Sequence, residues 1–138
     1  MFTENEISFL TAHSTGHLAT ATRDGQPHVV PVLFTLSDDR TSIGIGARNL
    51  PDRGQKRRYR RDCEENSQVA FVVDDRPDPS TPRGVLVHGV AKLHSEGGEP
   101  LVPSGGPEWV EIIPTMISSW GIDTGPLAPP NRRVISGS

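Results

Sequence analysis

The fold is decided by residues 16–34, which read GHLATATRDGQPHVVPVLF. Residues 17–23 alternate as a strand does, and Asp24-Gly25 is a strong signal for a tight hairpin turn. Residues 28–36 form the return strand, whose nearly continuous apolar run predicts burial on both faces. Pro31 lacks an N–H group, so one edge of this strand should be open or bulged there. An open edge beside small residues is a place where a planar ligand can meet backbone groups.

Further elements follow on both sides of this hairpin. Thr3 and Glu6 form a capping-box pattern, which predicts a helix over residues 3–13. After the hairpin we expect a strand at 41–46, a helix at 55–65, and strands at 68–74, 84–94 and 109–120. Short strands at close spacing predict a mainly β protein with a few helices, built as a six-stranded antiparallel barrel.

The composition indicates one domain with a thin core. The chain has 138 residues, of which 33% are hydrophobic, with 14 Gly and 13 Pro. Such a chain is expected to complete its core against a second copy of itself. We assign residues 1–122 to the domain. Residues 123–138, where Gly, Pro and Asn dominate, are expected to form a loosely ordered tail.

Charge and cysteine content exclude several classes of function. The formal net charge of −3 gives no global attraction to nucleic acid or to a membrane surface. No apolar run approaches the length of a membrane span and no signal pattern opens the chain, which predicts a cytoplasmic protein. The single cysteine, Cys63, excludes an internal disulfide framework. The five histidines lack metal-ligand spacing, so no metal site is predicted.

A basic run is the strongest candidate for a binding site. It contains Arg53, Lys56, Arg57, Arg58, Arg60 and Arg61 around the start of the second helix. Free N–H groups and the positive end of the helix dipole would add to these charges, giving a site for a phosphate or a polycarboxylate tail. A solvated basic face, offset by nearby acidic residues, explains the same spacing equally well.

Three other features could take part in a site. Gly44 and Gly46 leave one face of the third strand bare, so a ligand or a tightly packed neighbour can approach the backbone. Trp109 and Trp120 could cover a flat ligand or a dimer seam, or could pack in the core. His17 and His28 flank the hairpin and could lie near each other across it.

Taken together, the segments resemble the flavin-binding split-barrel superfamily that includes pyridoxamine 5'-phosphate oxidase. The likeness is closest to its actinobacterial branch, which uses the deazaflavin coenzyme F420. The segments that carry it are FTENEISFL, GHLATATRDGQPHVVPVLF, SIGIGARNL, KRRYRRD, NSQVAFVVDD, PRGVLVHGVA and EIIPTMISSWGID. The arginine- and histidine-bearing C-terminal signature of true pyridoxamine phosphate oxidases is absent from the sequence, which argues against pyridoxal phosphate synthesis.

The resemblance implies a homodimeric split barrel with cofactors in clefts at the subunit interface. It implies backbone contact between the cofactor ring and Val30, Pro31 and Val32. It implies that Gly46, Ala47, Arg48 and Asn49 lie beside the cofactor. It also implies that the cofactor phosphate lies at Lys56, Arg57 and Arg58, and the sequence leaves open which of these three matches the phosphate-binding residue of the family. Trp109 and Trp120 would then come from the partner chain.

The resemblance also implies a reaction. Reduced F420 would pass a hydride to an activated C=C or C=N of a small molecule, such as a polyketide enone of the dehydrotetracycline type. No catalytic residue is assigned, although Tyr59, His28 and His17 are candidate proton donors. The alternatives are an FMN-dependent oxidase or reductase on the same fold, and a non-enzymatic haem- or flavin-binding protein.

Overall fold

The structure, a computed structural model, describes residues 1–49 and 57–135. The described residues form two helices, seven strands and one short 3-10 turn. The helices are α1 (Glu4–Thr11) and α2 (Arg58–Glu65), the turn is Glu99–Leu101, and the strands are β1 (Thr15–Ala21), β2 (Pro27–Leu36), β3 (Ile43–Arg48), β4 (Gln68–Asp75), β5 (Arg83–His94), β6 (Gly105–Trp120) and β7 (Asn131–Val134). The elements expected from the sequence are present, except that residues 55 and 56 of the second helix lie outside the described residues.

Helix α1 begins where its capping box predicts. The Thr3 hydroxyl accepts from the Glu6 N–H at 3.1 Å, and the Glu6 carboxylate accepts from the Thr3 N–H at 2.9 Å. This reciprocal pair satisfies two N–H groups that a helix start otherwise leaves unbonded. Neither α1 nor α2 has the length and apolar character that a membrane-crossing helix needs.

The strands close into an antiparallel barrel. Their order in the sheet is β3-β2-β1-β4-β5-β6-β7, and β3 also pairs with β6, for example Ile45 with Val110. Six strands therefore form the closed barrel, and the prediction of a six-stranded antiparallel barrel is confirmed. Strand β6 can serve three neighbours because it is 16 residues long, so that β3 and β7 use different halves of it.

The seventh strand corrects the expectation for the C-terminal segment. Within residues 123–138, expected to be loosely ordered, Asn131–Val134 pair with Met116–Ser119 of β6. Arg133 forms an ion pair with Glu6, whose side chain is fully buried. A buried carboxylate needs a cation and hydrogen bonds to offset its lost hydration. This part of the segment is therefore held by strand pairing and by charge.

Strand β2 is buried on one face only, which is a second correction. Val32 and Phe34 point into the core, whereas Val29 is 64% exposed. The apolar run predicted burial on both faces, but the closed barrel covers only its interior. Strand β3 pairs with β2 only at Phe34–Leu36, so one edge of β2 from residue 27 to 33 has no strand partner among the described residues. The open edge predicted at Pro31 is therefore confirmed.

The bare face of β3 is filled by the chain itself. A β-carbon at Gly46 would lie 2.9 Å from Leu101 Cβ and 3.0 Å from Val102 Cγ1. A β-carbon at Gly44 would meet the indole of Trp109 at 3.5 Å. Of the two explanations left open by the sequence, tight packing is therefore the correct one, and the missing side chains make room for the 3-10 turn.

Candidate functional site

A cleft of about 560 Å³ lies where three parts of the chain meet. These parts are the end of β3, the start of α2 and the start of β6. Cations dominate its lining, and the residues are Ala47, Arg48, Asn49, Arg57, Arg58, Tyr59, Arg60, Arg61, Gly106, Pro107, Glu108, Trp109 and Val110. The pairing of β3 with β6, which closes the barrel and is called the barrel seam below, creates this site because it brings residues 105–110 beside Arg48.

The positive charge of the cleft is concentrated at the start of α2. Arg57 is the N-cap residue, and Arg58, Arg60 and Arg61 follow in the first turn. This first turn holds no acidic side chain. Cations at this end oppose the helix dipole and cost roughly 0.3–1 kcal/mol each at an exposed position. A helix start that accumulates such unfavourable charge is well suited to bind an anion, which would relieve the repulsion.

The guanidinium groups differ in how far the chain already uses them. Arg57 donates to the Arg48 carbonyl at 3.0 Å, which ties α2 to the end of β3. Arg58 contacts the Asp62 carboxylate at 3.4 Å. The guanidinium groups of Arg48 and Arg61 have no ion-pair or hydrogen-bond partner in residues 1–49 and 57–135. These two cations are therefore free to meet an anionic ligand.

Tyr59 is the one cleft residue with a phenol, and its side chain is buried. Burial raises the pKa of Tyr59 above the ordinary value, partly offset by the nearby charges of Arg57 and Arg60. The neutral hydroxyl can donate a hydrogen bond or a proton at neutral pH. Of the three candidate proton donors, Tyr59 alone lines the cleft.

A buried pair below the cleft fixes α2 on the barrel. The Thr20 hydroxyl of β1 donates to the Asp62 carboxylate at 2.7 Å, and both side chains are buried. Cys63, the next residue, is also buried, and burial raises the pKa of its thiol to about 11. The thiol therefore stays protonated and packs as a small apolar group.

Half of the expected cofactor residues lie together in the cleft. Those that line it are Ala47, Arg48, Asn49, Arg57, Arg58 and Trp109. Those that do not are Val30, Pro31, Val32, Gly46 and Trp120, and Lys56 lies outside the described residues. Gly46 is covered by Leu101 and Val102, as described above.

The open edge of β2 exposes Pro31 rather than its neighbours. The Phe34 N–H donates to the Ser14 carbonyl on the β1 side at 3.0 Å. Because backbone groups alternate in direction along a strand, those of Val30 and Val32 also face β1, and those of Pro31 face the open edge. Pro31 therefore offers a carbonyl acceptor at that edge.

The two tryptophans occupy different environments. Trp109 pairs with Gly46 on β3 and with His94 on β5, stacks on the His94 ring at 4.1 Å, and donates from Nε1 to the Glu96 carbonyl. Trp120 pairs with Gly84 at the far end of β6. Within one chain, only Trp109 is part of the cleft.

Long-range strand pairing adds residues to the cleft that the sequence did not assign to a site. Gly106, Pro107 and Glu108 precede the strand expected at 109–120, and they line the cleft because β6 begins at Gly105.

The two histidines of the hairpin lie outside the cleft. His17 pairs with Pro31 whereas His28 pairs with Thr20, so the two histidines lie on opposite faces of the hairpin. The expectation that they approach each other across the hairpin is therefore wrong.

Comparison with known proteins places these features in a family. A family model described as pyridoxamine 5'-phosphate oxidase matches residues 2–101. A 5a,11a-dehydrotetracycline/5a,11a-dehydrooxytetracycline reductase of Streptomyces rimosus subsp. rimosus is 41% identical over 124 residues, which cover 88% of this chain and 84% of that protein.

Solved structures show the same fold. A conserved hypothetical protein of Mycobacterium tuberculosis matches with a TM-score of 0.68 at 21% identity, covering 100% of this chain and 94% of that one. An FAD binding protein of Mycobacterium smegmatis matches with a TM-score of 0.62 at 21% identity, covering 86% of this chain and 93% of that one.

Proposed function

Because the chain belongs to the pyridoxamine 5'-phosphate oxidase family, we propose that it is a reductase that uses the deazaflavin coenzyme F420. Its substrate is a small molecule with an activated C=C or C=N, of which a tetracycline-like enone is the leading candidate. The substrate class rests on the 41% identity with the dehydrotetracycline reductase. The observation that carries the proposal is the cleft, because its arginines include two without a partner in residues 1–49 and 57–135 and therefore fit a cofactor with an anionic tail.

The arginines of the cleft are proposed to bind the anionic tail of the cofactor in two ways. Arg48 and Arg61, which have no partner among the described residues, would hold the phosphate or carboxylate groups of the tail. Arg57 and Arg58 keep one contact each within the chain and present their remaining N–H donors at the helix start. The cofactor, when bound, supplies the hydride, and the protein supplies its orientation.

Proton delivery falls to Tyr59 in this proposal. Hydride addition to an enone leaves a carbanion-like centre that must take up a proton to complete the reduction. The Tyr59 phenol carries a proton at Oη and the residue lines the cleft. It is therefore placed to donate that proton or to orient the substrate carbonyl.

The protein is proposed to act as a homodimer. One cross-strand row on the outer face of the barrel runs Val29, Ala19, Ala70, His88, Met116 and Val134 in register. Val29 and Val134, at the two ends of this row, are 64% and 72% exposed. A second copy covering the row would bury these apolar side chains and bring a second subunit to the cofactor.

FMN is the alternative cofactor, because solved relatives of the same fold include FAD binding proteins of Mycobacterium smegmatis and Mesorhizobium loti. The test is a side-by-side titration of the purified protein with F420 and with FMN, followed by fluorescence. The variant is Arg48→Ala/Arg61→Ala, which removes the two arginines proposed to hold the tail, with Arg132→Ala as a control on an exposed arginine outside the cleft. Selective binding of F420 that weakens only in the double variant supports the proposal. Tight FMN binding would replace F420, and binding of neither would overturn both cofactor assignments.

A further inference from the structure

Arg60 differs from Arg57, Arg58 and Arg61 because each of its three nitrogens contacts another residue of the chain. Nε lies 2.7 Å from the Glu108 carboxylate. One terminal nitrogen donates to the Trp109 carbonyl and the other to the His94 carbonyl, both at 3.2 Å. The side chain is only 14% exposed, although its neighbour Arg61 is exposed and unpaired in the described residues. Arg60 lines the cleft, but these three contacts fix the position of its guanidinium within the chain.

The three acceptors of Arg60 lie at or beside the barrel seam. His94 is the last residue of β5, and it pairs directly with Trp109 on β6. Glu108 is the neighbouring residue of β6 and lines the cleft. One planar guanidinium on α2 thus fastens the helix to two adjacent strands at once, which suits the fork geometry of arginine.

This contact completes the fastening of α2. Asp62 holds the helix to β1 through Thr20, and Arg57 holds its start to the carbonyl of Arg48 on β3. Without Arg60, no hydrogen bond or ion pair would join the first turn of α2 to β5 and β6 among the described residues. The first turn would then be held by these two contacts and by the packing of Tyr59 in the core, with no polar contact to β5 or β6 among the described residues.

We propose that Arg60 is a positioning residue that sets the distance between the arginines of α2 and the opposite wall of the cleft. It acts through the placement of Arg57, Arg58 and Arg61 and makes no contact with the ligand. The inference rests on the proposed function for its binding readout, because it assumes that the cleft holds an anionic cofactor.

The main test compares Arg60→Lys with Arg132→Lys, the same change at an exposed arginine outside the cleft. Both changes keep the charge, but a single ammonium cannot reproduce the three contacts of Arg60. We expect Arg60→Lys to weaken F420 binding about tenfold. The KM for the cofactor should rise while kcat at saturating cofactor is retained. Arg132→Lys, at an exposed arginine of β7 outside the cleft, should change binding by less than about threefold.

Salt dependence separates positioning from direct contact. A cation that touches the ligand loses strength as ionic strength rises, because exposed charges are screened. Arg60→Ala should therefore bind weakly with the same salt dependence as wild type, whereas Arg61→Ala should show a reduced salt dependence. If Arg60→Ala lowers the salt dependence as Arg61→Ala does, Arg60 is a ligand contact and the proposal is wrong.

Amide hydrogen exchange tests the Arg60 clamp, which is the set of three contacts that hold α2 to β5 and β6, without any cofactor. In Arg60→Lys the amides of α2 should exchange faster than in wild type, while those of β4 are unchanged and Arg132→Lys behaves as wild type. Unchanged exchange in α2 would overturn the clamp even if F420 binds. Faster exchange in a protein that binds neither F420 nor FMN would retain the clamp and reject the proposed function.

Discussion

Arg133 of β7 forms a two-nitrogen ion pair with Glu6 of α1, at 2.6 and 3.0 Å. The Ser119 hydroxyl of β6 donates to the same carboxylate at 2.5 Å, and Arg133 also donates to the Met1 carbonyl. Glu6 is fully buried, so this carboxylate depends on these partners for its charge. The Glu6 side chain thereby joins α1 to β6, the longest strand, and to β7, the last strand.

Removal of Arg133 should therefore destabilise the whole domain. We expect Arg133→Ala to lower the free energy of unfolding by about 3 kcal/mol, because it leaves a buried carboxylate without its cation. Urea denaturation at neutral pH measures this change.

The neighbouring arginine supplies a matched control. Arg132 lies on the same strand and is exposed, so Arg132→Ala should change the free energy of unfolding by less than about 0.5 kcal/mol. Equal effects of the two substitutions would show that the ion pair with Glu6 contributes nothing specific.

A methyl group at Gly46 should be costly. Its β-carbon would lie 2.9 Å from Leu101 and 3.0 Å from Val102, so the 3-10 turn must shift. We expect Gly46→Ala to lower the free energy of unfolding by about 1–3 kcal/mol, as overpacking does. Gly106→Ala is the control, because its β-carbon would meet Asn49 at an ordinary 3.5 Å. A smaller loss for Gly46→Ala than for Gly106→Ala would contradict the packing described for β3.

Stability should fall in alkaline solution because of Cys63. Burial raises the pKa of its thiol from 9.0 to about 11. Between these values the unfolded chain releases the thiol proton and the folded chain keeps it, so the free energy of unfolding falls as pH rises. Denaturation curves at several pH values from 8 to 11 should show a shallower fall for Cys63→Ala than for wild type. Parallel curves would mean that the thiol does not contribute.

Loss of the Tyr59 hydroxyl should impair turnover without impairing cofactor binding. We expect Tyr59→Phe to lower kcat about 100-fold, a typical effect of removing a general acid. Because the pKa of Tyr59 lies above its usual value of 10.0, its ionisation should not shape the wild-type pH–rate profile below that pH. Stopped-flow measurement of cofactor oxidation gives the rate. Full activity of Tyr59→Phe would assign proton delivery to solvent.

The exposed position of Val29 at one end of the outer row predicts how the proposed dimer responds to charge. Val29→Asp should shift the protein to monomer, because it places a carboxylate in the proposed interface. Leu127→Asp is the control, since Leu127 is 88% exposed and lies outside the row. Light scattering after gel filtration gives the mass of each. A wild-type monomer, or a Val29→Asp dimer, would reject this interface.

Local signals in the sequence predicted the elements well, because the causes of those elements are local. The capping box of Thr3 and Glu6 and the Asp24-Gly25 turn act over a few residues, and both are present in the structure. The basic run was assigned to a site, and Arg57 and Arg58 do line the cleft.

The remaining parts of the site depend on contacts between distant segments. Nothing near Gly46 in the sequence indicates that Leu101 fills its empty face, and nothing near Arg60 indicates that Glu108 will neutralise it. Both facts arise from the register of β3, β5 and β6 around the barrel. Because Arg60 and Arg61 lie in one basic run, the sequence could not distinguish the positioning role proposed for Arg60 from the ligand-binding role proposed for Arg61.

The missing N–H of Pro31 has a consequence for self-association. An unpaired strand edge is a template on which another chain can add a strand, and such addition leads to aggregation. At the open edge of β2, however, position 31 has no hydrogen to donate, which interrupts the ladder that an incoming strand would need. The barrel can therefore keep this edge open to a small molecule while resisting strand addition from neighbouring copies in a crowded solution.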